Sequence, residues 1–331
     1  MTRKALALLS GGLDSVLAAR LVAEQGIEVV CLAFVIGFAA KDNSRFERHV
    51  RETAENAALP IRVIDITSEF LEVLATPSHG YGANINPCID CKTLMLKKAK
   101  EIMEKEGFSF VITGEVLGQR PMSQRREALD MIVRDSDLKG KLLRPLSAKL
   151  LPETEAETKG IVDRSRLMAI SGRSRKPQLE MAGRYGMKNF AQPAGGCLLT
   201  EPGFAAMVKD LIMHGGIDLD GLAILKLGRH FRLDEKTKII LGRDEKENEA
   251  IAALKKAGDI MLRLSVDPGP YALLRGDASE ENIRKAASLV ISFSKKKSLP
   301  EAEVEYWREE ENIKTLKVSP FSLSEIKNMR I

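Results

Sequence analysis

The residues best equipped for chemistry open the chain: Ser10-Gly11-Gly12-Leu13-Asp14-Ser15. An apolar run, residues 5–9, precedes them and reads as a buried strand. Val16, Leu17, Ala19, Leu21 and Val22 follow, apolar at helical spacing. A strand, a Gly-Gly turn and a helix start make an anion cradle. Gly11 and Gly12 let the backbone approach a ligand closely. Ser10, Asp14, Ser15 and the free amides of the first helical turn face the anion. There is no lysine and the spacing differs, so this is not the GxxxxGK[ST] phosphate loop. The bland alternative is a Gly-Gly turn capped by Ser and Asp.

Cysteines are the second chemical resource. Cys31 lies in the apolar run 29–36 and reads as a small core residue, whereas Cys88, Cys91 and Cys197 lie in polar, turn-rich sequence. Four cysteines in a cytosolic chain do not make a disulfide framework. As thiolates, three of them can act as nucleophiles or metal ligands. The CxxC pair falls in a Pro-, Gly- and Asn-rich loop over residues 76–92, and a loop of that length is usually functional. His79 is the candidate fourth ligand should the thiols hold zinc, though its sequence position is poor. His49, His214 and His230 show no partner pattern and read as surface or satisfied histidines.

Strand-like runs recur at residues 5–9, 28–35, 61–66, 108–113 and 142–146, with helix-like segments between, including one over 92–105. This alternation predicts an α/β fold with a doubly wound parallel sheet. Ligands bind such sheets at the carboxyl ends of the strands, where the Ser-Gly-Gly loop and Thr113-Gly114-Glu115 both fall. Residues 147–200 read as mixed helix and loop ending in Pro193-Ala194-Gly195-Gly196-Cys197. A helix over 203–214 follows, and Gly215-Gly216 suggests a boundary. Beyond it, a hairpin (229–233 and 238–241), a polar helix (245–257), two further strand-like runs and a helix over 279–293 predict a smaller α+β domain. The expected division is 1–150, 151–216, 217–295 and a charged tail, 296–331, docked by Tyr306 and Trp307.

With 331 residues the chain is too long for one typical core. No apolar run reaches membrane-spanning length and no signal-like h-region opens the chain, so a cytoplasmic protein without a membrane partner is expected. The net charge of +5 says little, but its distribution says more. Between Lys159 and Lys188, eight basic residues face only Asp163 and Glu180, which suits a polyanion or a solvated basic face.

The opening motif resembles the SGGxDS loop of the PP-loop ATP pyrophosphatase superfamily, whose members adenylate a substrate oxygen and release pyrophosphate. Thr113-Gly114-Glu115-Val116-Leu117-Gly118-Gln119 with Ser123-Gln124 is similar to a segment of tRNA 4-thiouridine synthases, as is Leu143-Arg144-Pro145-Leu146. Residues 193–211 and Asn86-Pro87-Cys88-Ile89-Asp90-Cys91-Lys92 resemble the two cysteine regions of tRNA 2-thiouridine synthases. The resemblance implies an ATP-dependent tRNA sulfurtransferase, with 4-thiouridine as the expected product and 2-thiouridine as the rival. A PP-loop amidotransferase or ligase acting on a small substrate is the third reading. Ser10, Gly11, Gly12, Asp14 and Ser15 would then hold the pyrophosphate of ATP and its Mg²⁺. Gly114 and Gln119 would line the nucleotide or uridine pocket. Phe34 would contact adenine or pack in the core.

For sulfur delivery the resemblance implies a [4Fe-4S] cluster ligated by Cys88, Cys91 and Cys197, leaving one iron free for exogenous sulfide. The alternatives are a persulfide–disulfide pair of Cys91 and Cys197, and structural zinc or inert thiols. Gly228-Arg229-His230-Phe231-Arg232, Ile240-Leu241-Gly242-Arg243-Asp244 with Asn248, and Asp267-Pro268-Gly269-Pro270 resemble the RNA-binding domain of the NFACT family. That assigns RNA phosphate contacts to Arg229 and Arg243. A dimerising or buttressing appendage is the alternative. tRNA and sulfide (or a separate sulfur donor) are the expected partners, and a homodimer is a candidate assembly.

Overall fold

The computed structural model describes residues 3–40, 42–187 and 197–331, and Pro193 to Gly196 of the Gly-Gly-Cys segment lie outside them. The chain forms two compact units, residues 1–200 and 201–331.

The first unit runs β1 (Lys4–Leu8), α1 (Leu13–Ala23), β2 (Glu28–Val35), α2 (Asn43–Asn56), β3 (Ile61–Asp65), α3 (Thr67–Ala75), α4 (Cys88–Glu106), β4 (Phe110–Ile112), α5 (Arg126–Asp135), β5 (Leu142–Leu143), α6 (Glu155–Thr158) and α7 (Lys176–Arg184). Five strands make one parallel sheet in the order β3-β2-β1-β4-β5. Helices cover both faces, which is why the strands read as unbroken apolar runs rather than alternating ones. Strand order reverses between β1 and β4, so the crevice at the switch point opens beside the loops that follow these two strands. β5 stops after two residues, since Pro145 has no N–H to continue a ladder. α1 is buried at eight of its eleven positions, packing on the sheet and on α7.

One expectation changes here. The CxxC is not in the loop: α4 begins at Cys88, with Pro87 at its N-cap. Proline's fixed φ suits helix entry, and Asp90 in the first turn complements the helix dipole. The Asn-Pro composition had masked the start.

The second unit runs α8 (Pro202–His214), α9 (Leu219–Ile224), β6 (Arg229–Arg232), β7 (Lys238–Leu241), α10 (Glu245–Ala253), β8 (Ile260–Leu264), β9 (Ala272–Arg275), α11 (Glu280–Ser292), β10 (Ala302–Trp307), β11 (Lys314–Val318) and α12 (Leu323–Met329). Its six strands form an antiparallel sheet, β11-β10-β8-β9-β7-β6. Along β7, Ile239 and Leu241 face the core built with α11, while Ile240 faces a second cluster with Ile251, Met261 and Trp307.

Two boundaries differ from expectation. α8 belongs with residues 201–331, because Asp210 accepts from Arg232 Nη2 (2.6 Å) and pairs with Lys238 Nζ (3.0 Å) on the hairpin. The tail does more than dock. Tyr306 and Trp307 lie on β10, paired with β8, and β11 completes the sheet edge.

Candidate active site

The Ser-Gly-Gly loop turns from β1 into α1. Gly11 has φ +74°, and a Cβ there would lie 2.6 Å from the His49 ring. Only glycine fits that corner. His49 Nε2 donates to Gly11 O (3.0 Å), so this histidine buttresses the loop. Ser15 Oγ donates to Gly12 O (2.7 Å) and accepts from Ser10 N–H (3.3 Å). Gly12 caps α1 with no side chain of its own, leaving the positive helix end to a ligand.

Gly114 follows β4 across the switch point. A Cβ on it would sit 2.5 Å from backbone atoms of Asp14 and Ser15, so the two loops are in backbone contact. Gln119 Nε2 donates to Asp14 Oδ2 (2.6 Å), and Asp14 Oδ1 is buried with no partner among the described residues. Sequence reasoning missed the next link, in which Gln178 Nε2 donates to Gln119 Oε1 (3.0 Å) from α7. A carboxylate only accepts, so Asp14 fixes the direction of this chain of amides. Gln178 is wholly buried, and among the described residues neither its Oε1 nor the buried Arg175 Nε has a partner. The segment enters the site because Gly172 N donates to Leu117 O (2.7 Å). Its sequence signal was the basic stretch Ser171-Gly172-Arg173-Ser174-Arg175-Lys176. Phe34 is buried on β2, in register with Ile64 on β3.

Glu115 was also missed as a hub. It is 2% exposed, accepts from Arg144 Nε (2.9 Å) and Thr113 Oγ1 (3.1 Å), and lies 3.2 Å from Lys92 Nζ. Burial alone would raise this carboxyl; Lys92 and Arg144 overcome burial and hold it down to about 2. Lys92 directly follows Cys91, so the hub ties the loop after β4 to the cysteine helix.

Cys88 and Cys91, three apart in the first turn of α4, share a helix face. Cys197 reaches them on a short segment whose Leu198 N donates to Ala39 O (2.9 Å), while Asn84 Nδ2 donates to Thr200 O (2.7 Å). All three thiols are free. Cys88 and Cys197 both lie close enough to raise Cys91, and Cys88 close enough to raise Cys197. Burial first, then the neighbouring Cys197 and Cys88, push Cys91 up to about 12, with Lys92 pulling the other way. Burial also raises Cys88, opposed by Lys92 and Arg120, and Cys197, opposed by its hydrogen bond from the Leu199 backbone. Cys31 is fully buried on β2 and plays no part.

His79 is not a fourth ligand. Its Nδ1 lies 2.9 Å from Asp90 Oδ1 and its Nε2 3.0 Å from Asp135 Oδ2, so both ring nitrogens are engaged. The ring instead braces the CxxC turn, in which Asp90 sits. Among the described residues, no group of three His, Cys, Asp or Glu side chains is arranged to hold a single metal ion.

Residues 1–150 match the family model described as "Thiamine biosynthesis protein (ThiI)", and residues 228–330 match "NFACT protein RNA binding domain". "Probable tRNA sulfurtransferase" of Methanosarcina mazei is 31% identical over 126 residues, covering 35% of this chain and 29% of that protein. "tRNA-specific 2-thiouridylase MnmA" of Sulfurimonas denitrificans is 29% identical over 121 residues, covering 35% and 36% respectively. The chain spans about a third of the length of the curated relatives it matches. A solved 4-thiouridine synthetase–RNA complex with bound ATP aligns at 22% identity and TM-score 0.34, over 54% of this chain and 50% of that one. The first unit is thus similar to the ThiI family over residues 1–150, and the second to the NFACT RNA-binding domain over residues 228–330.

Proposed function

We propose that this protein is an ATP-dependent tRNA sulfurtransferase that forms 4-thiouridine. The observation that carries this reading is the backbone contact between the Ser-Gly-Gly loop and Gly114, with the cysteine helix tied to the same turn through Glu115. A nucleotide cradle and a set of thiols then serve one reaction centre. A uracil carbonyl oxygen is a poor leaving group. Attack of that oxygen on the α-phosphate of ATP expels pyrophosphate and leaves an adenylated ring. A sulfur nucleophile then adds to the ring carbon and AMP departs.

In this reading Ser10, Gly11, Gly12 and Ser15 bind the pyrophosphate, and the helix end stabilises its charge. The unpartnered Asp14 Oδ1 fits a carboxylate ligand for the Mg²⁺ that accompanies ATP. Gln119 orients Asp14 and, with Gly114, lines the pocket. Cys88, Cys91 and Cys197, all free thiols, are the residues that would hold a [4Fe-4S] cluster, whose usual protein ligands are thiolates. Held by three thiolates, that cluster would supply an iron free of protein ligands to carry sulfide. Lys92 lowers the cost of ionising Cys88 and Cys91. Arg229 and Arg243 of the second unit contact RNA phosphates, in keeping with the description of the domain that matches there. Choosing 4-thiouridine rests on the segment from Thr113 to Gln119, which resembles that of 4-thiouridine synthases. The 2-thiouridylase relatives favour the rival, with a Cys91/Cys197 persulfide pair.

The test is anaerobic reconstitution with iron and sulfide, followed by incubation with ATP, Mg²⁺, sulfide and unmodified tRNA. The expected result is a brown protein that makes 4-thiouridine, and a Cys88→Ala variant that loses both colour and product. Formation of 2-thiouridine by a colourless protein would support the rival. Absence of any thionucleoside would overturn the reading.

A further inference from the structure

The second unit has a groove of about 380 Å³ lined by Arg229, Arg243 and Arg330 with Gly228, His230 and Met207. Of the described residues that line it, none has an acidic side chain. Three separate segments bring the arginines there. Arg229 opens β6 after Gly228, which has φ +65°; a Cβ on Gly228 would lie 2.5 Å from Leu241 O, so the position demands glycine. Arg243 follows β7 two residues beyond Leu241, the register partner of Arg229. Arg330 follows α12, held by its bridge to Phe231 and by Ile331 N donating to His230 O (3.1 Å).

Two of the guanidinium groups are fixed before any ligand arrives. Arg243 Nε donates to Gly228 O (3.1 Å), and its Nη2 donates to the same oxygen. Arg229 Nη1 donates to Gly242 O (3.5 Å), and its guanidinium stacks 4.9 Å above the Phe293 ring. Arg330 has no side-chain hydrogen bond or ion pair among the described residues. Burial, then the charges of Arg243 and Arg330, hold Arg229 below its ordinary range. Glu247, 3.6 Å from Arg243 Nη1, offsets one charge of the three. The fold thus keeps like charges together that would separate if nothing offset them. Planar, pre-oriented forks around one concavity suit phosphate oxygens, and fixing them beforehand lowers the ordering cost of binding.

We propose that Arg229, Arg243 and Arg330 form a single phosphate-binding site for an RNA backbone, with Arg330, brought by the C-terminal helix, as its third wall. The site rests on the RNA-binding reading of the second unit and extends it to a residue outside the three sequence stretches that carry that reading. His230 adds no charge there. Burial, then Lys238, lower it to about 3, and its Nε2 donates to Leu227 O (2.8 Å).

The experiment measures binding of the full-length protein to a fluorescein-labelled single-stranded oligoribonucleotide by anisotropy, across a salt series. Arg330→Ala, at an exposed position, should weaken binding about tenfold and reduce the salt slope by about one, as should Arg229→Ala and Arg243→Ala. Inorganic phosphate should compete far more weakly than RNA at equal phosphate concentration; equal competition would make this a free-phosphate site and overturn the proposal. If Arg330→Ala binds normally while the other two variants are weakened, the groove is wrong but the RNA reading survives. If the wild-type protein does not bind RNA, that reading falls and the site with it.

Discussion

Asp14 has one oxygen committed to Gln119 and one buried without a partner among the described residues, an arrangement that costs free energy unless something meets the second oxygen. On our account Mg²⁺ travelling with ATP meets it. Asp14→Asn should then lower tRNA-dependent pyrophosphate release by about 100-fold or more, because a neutral amide cannot replace the charge. RNA binding should be unchanged, and undiminished pyrophosphate release would remove Asp14 from the site. This residue was legible in the sequence, since its spacing after Gly-Gly is the signature itself. Gln178 was not. Its role depends on α7 packing against α1, and no local pattern distinguishes it from any glutamine in a helix's first turn.

At the scale of elements, Glu115 joins the loop after β4, the N-terminal part of α4 and the residue after β5 through Lys92 and Arg144. Neutralising it would leave Arg144, itself 5% exposed, as an uncompensated buried charge. Glu115→Gln should therefore destabilise the protein by about 3–5 kcal/mol at neutral pH. The pH dependence has a defined sign. Folding holds the carboxyl at about 2 against an ordinary 4.5, so its stabilising contribution is complete above the unfolded value and is lost as pH falls toward 2. Denaturant midpoints of wild type and variant should converge as pH falls from 5 toward 2. A constant gap would show that the ion pairs are not responsible. The strands of the parallel sheet were legible because buried β-strands read as apolar runs. The start of α4 was hidden by Asn86-Pro87, and β10 and β11 by charged residues that occupy the exposed positions of an edge hairpin. Composition misleads where one face of an element is solvated.

At the scale of the whole molecule, the proposed function divides the work between the two units, activation chemistry in one and RNA capture in the other. The division between 200 and 201 could not be read from Gly215-Gly216, because it is set by the ion pairs of Asp210 with the β6–β7 hairpin rather than by a linker. The convergence of Cys88, Cys91 and Cys197 was likewise invisible along the chain, since more than a hundred residues separate the pair from the third. The most direct measurement of the central claim is a mass-spectrometric nucleoside profile of tRNA from cells with and without the gene. The account predicts selective loss of 4-thiouridine, restored by the wild-type protein and not by Asp14→Asn. An unchanged thionucleoside profile would contradict it.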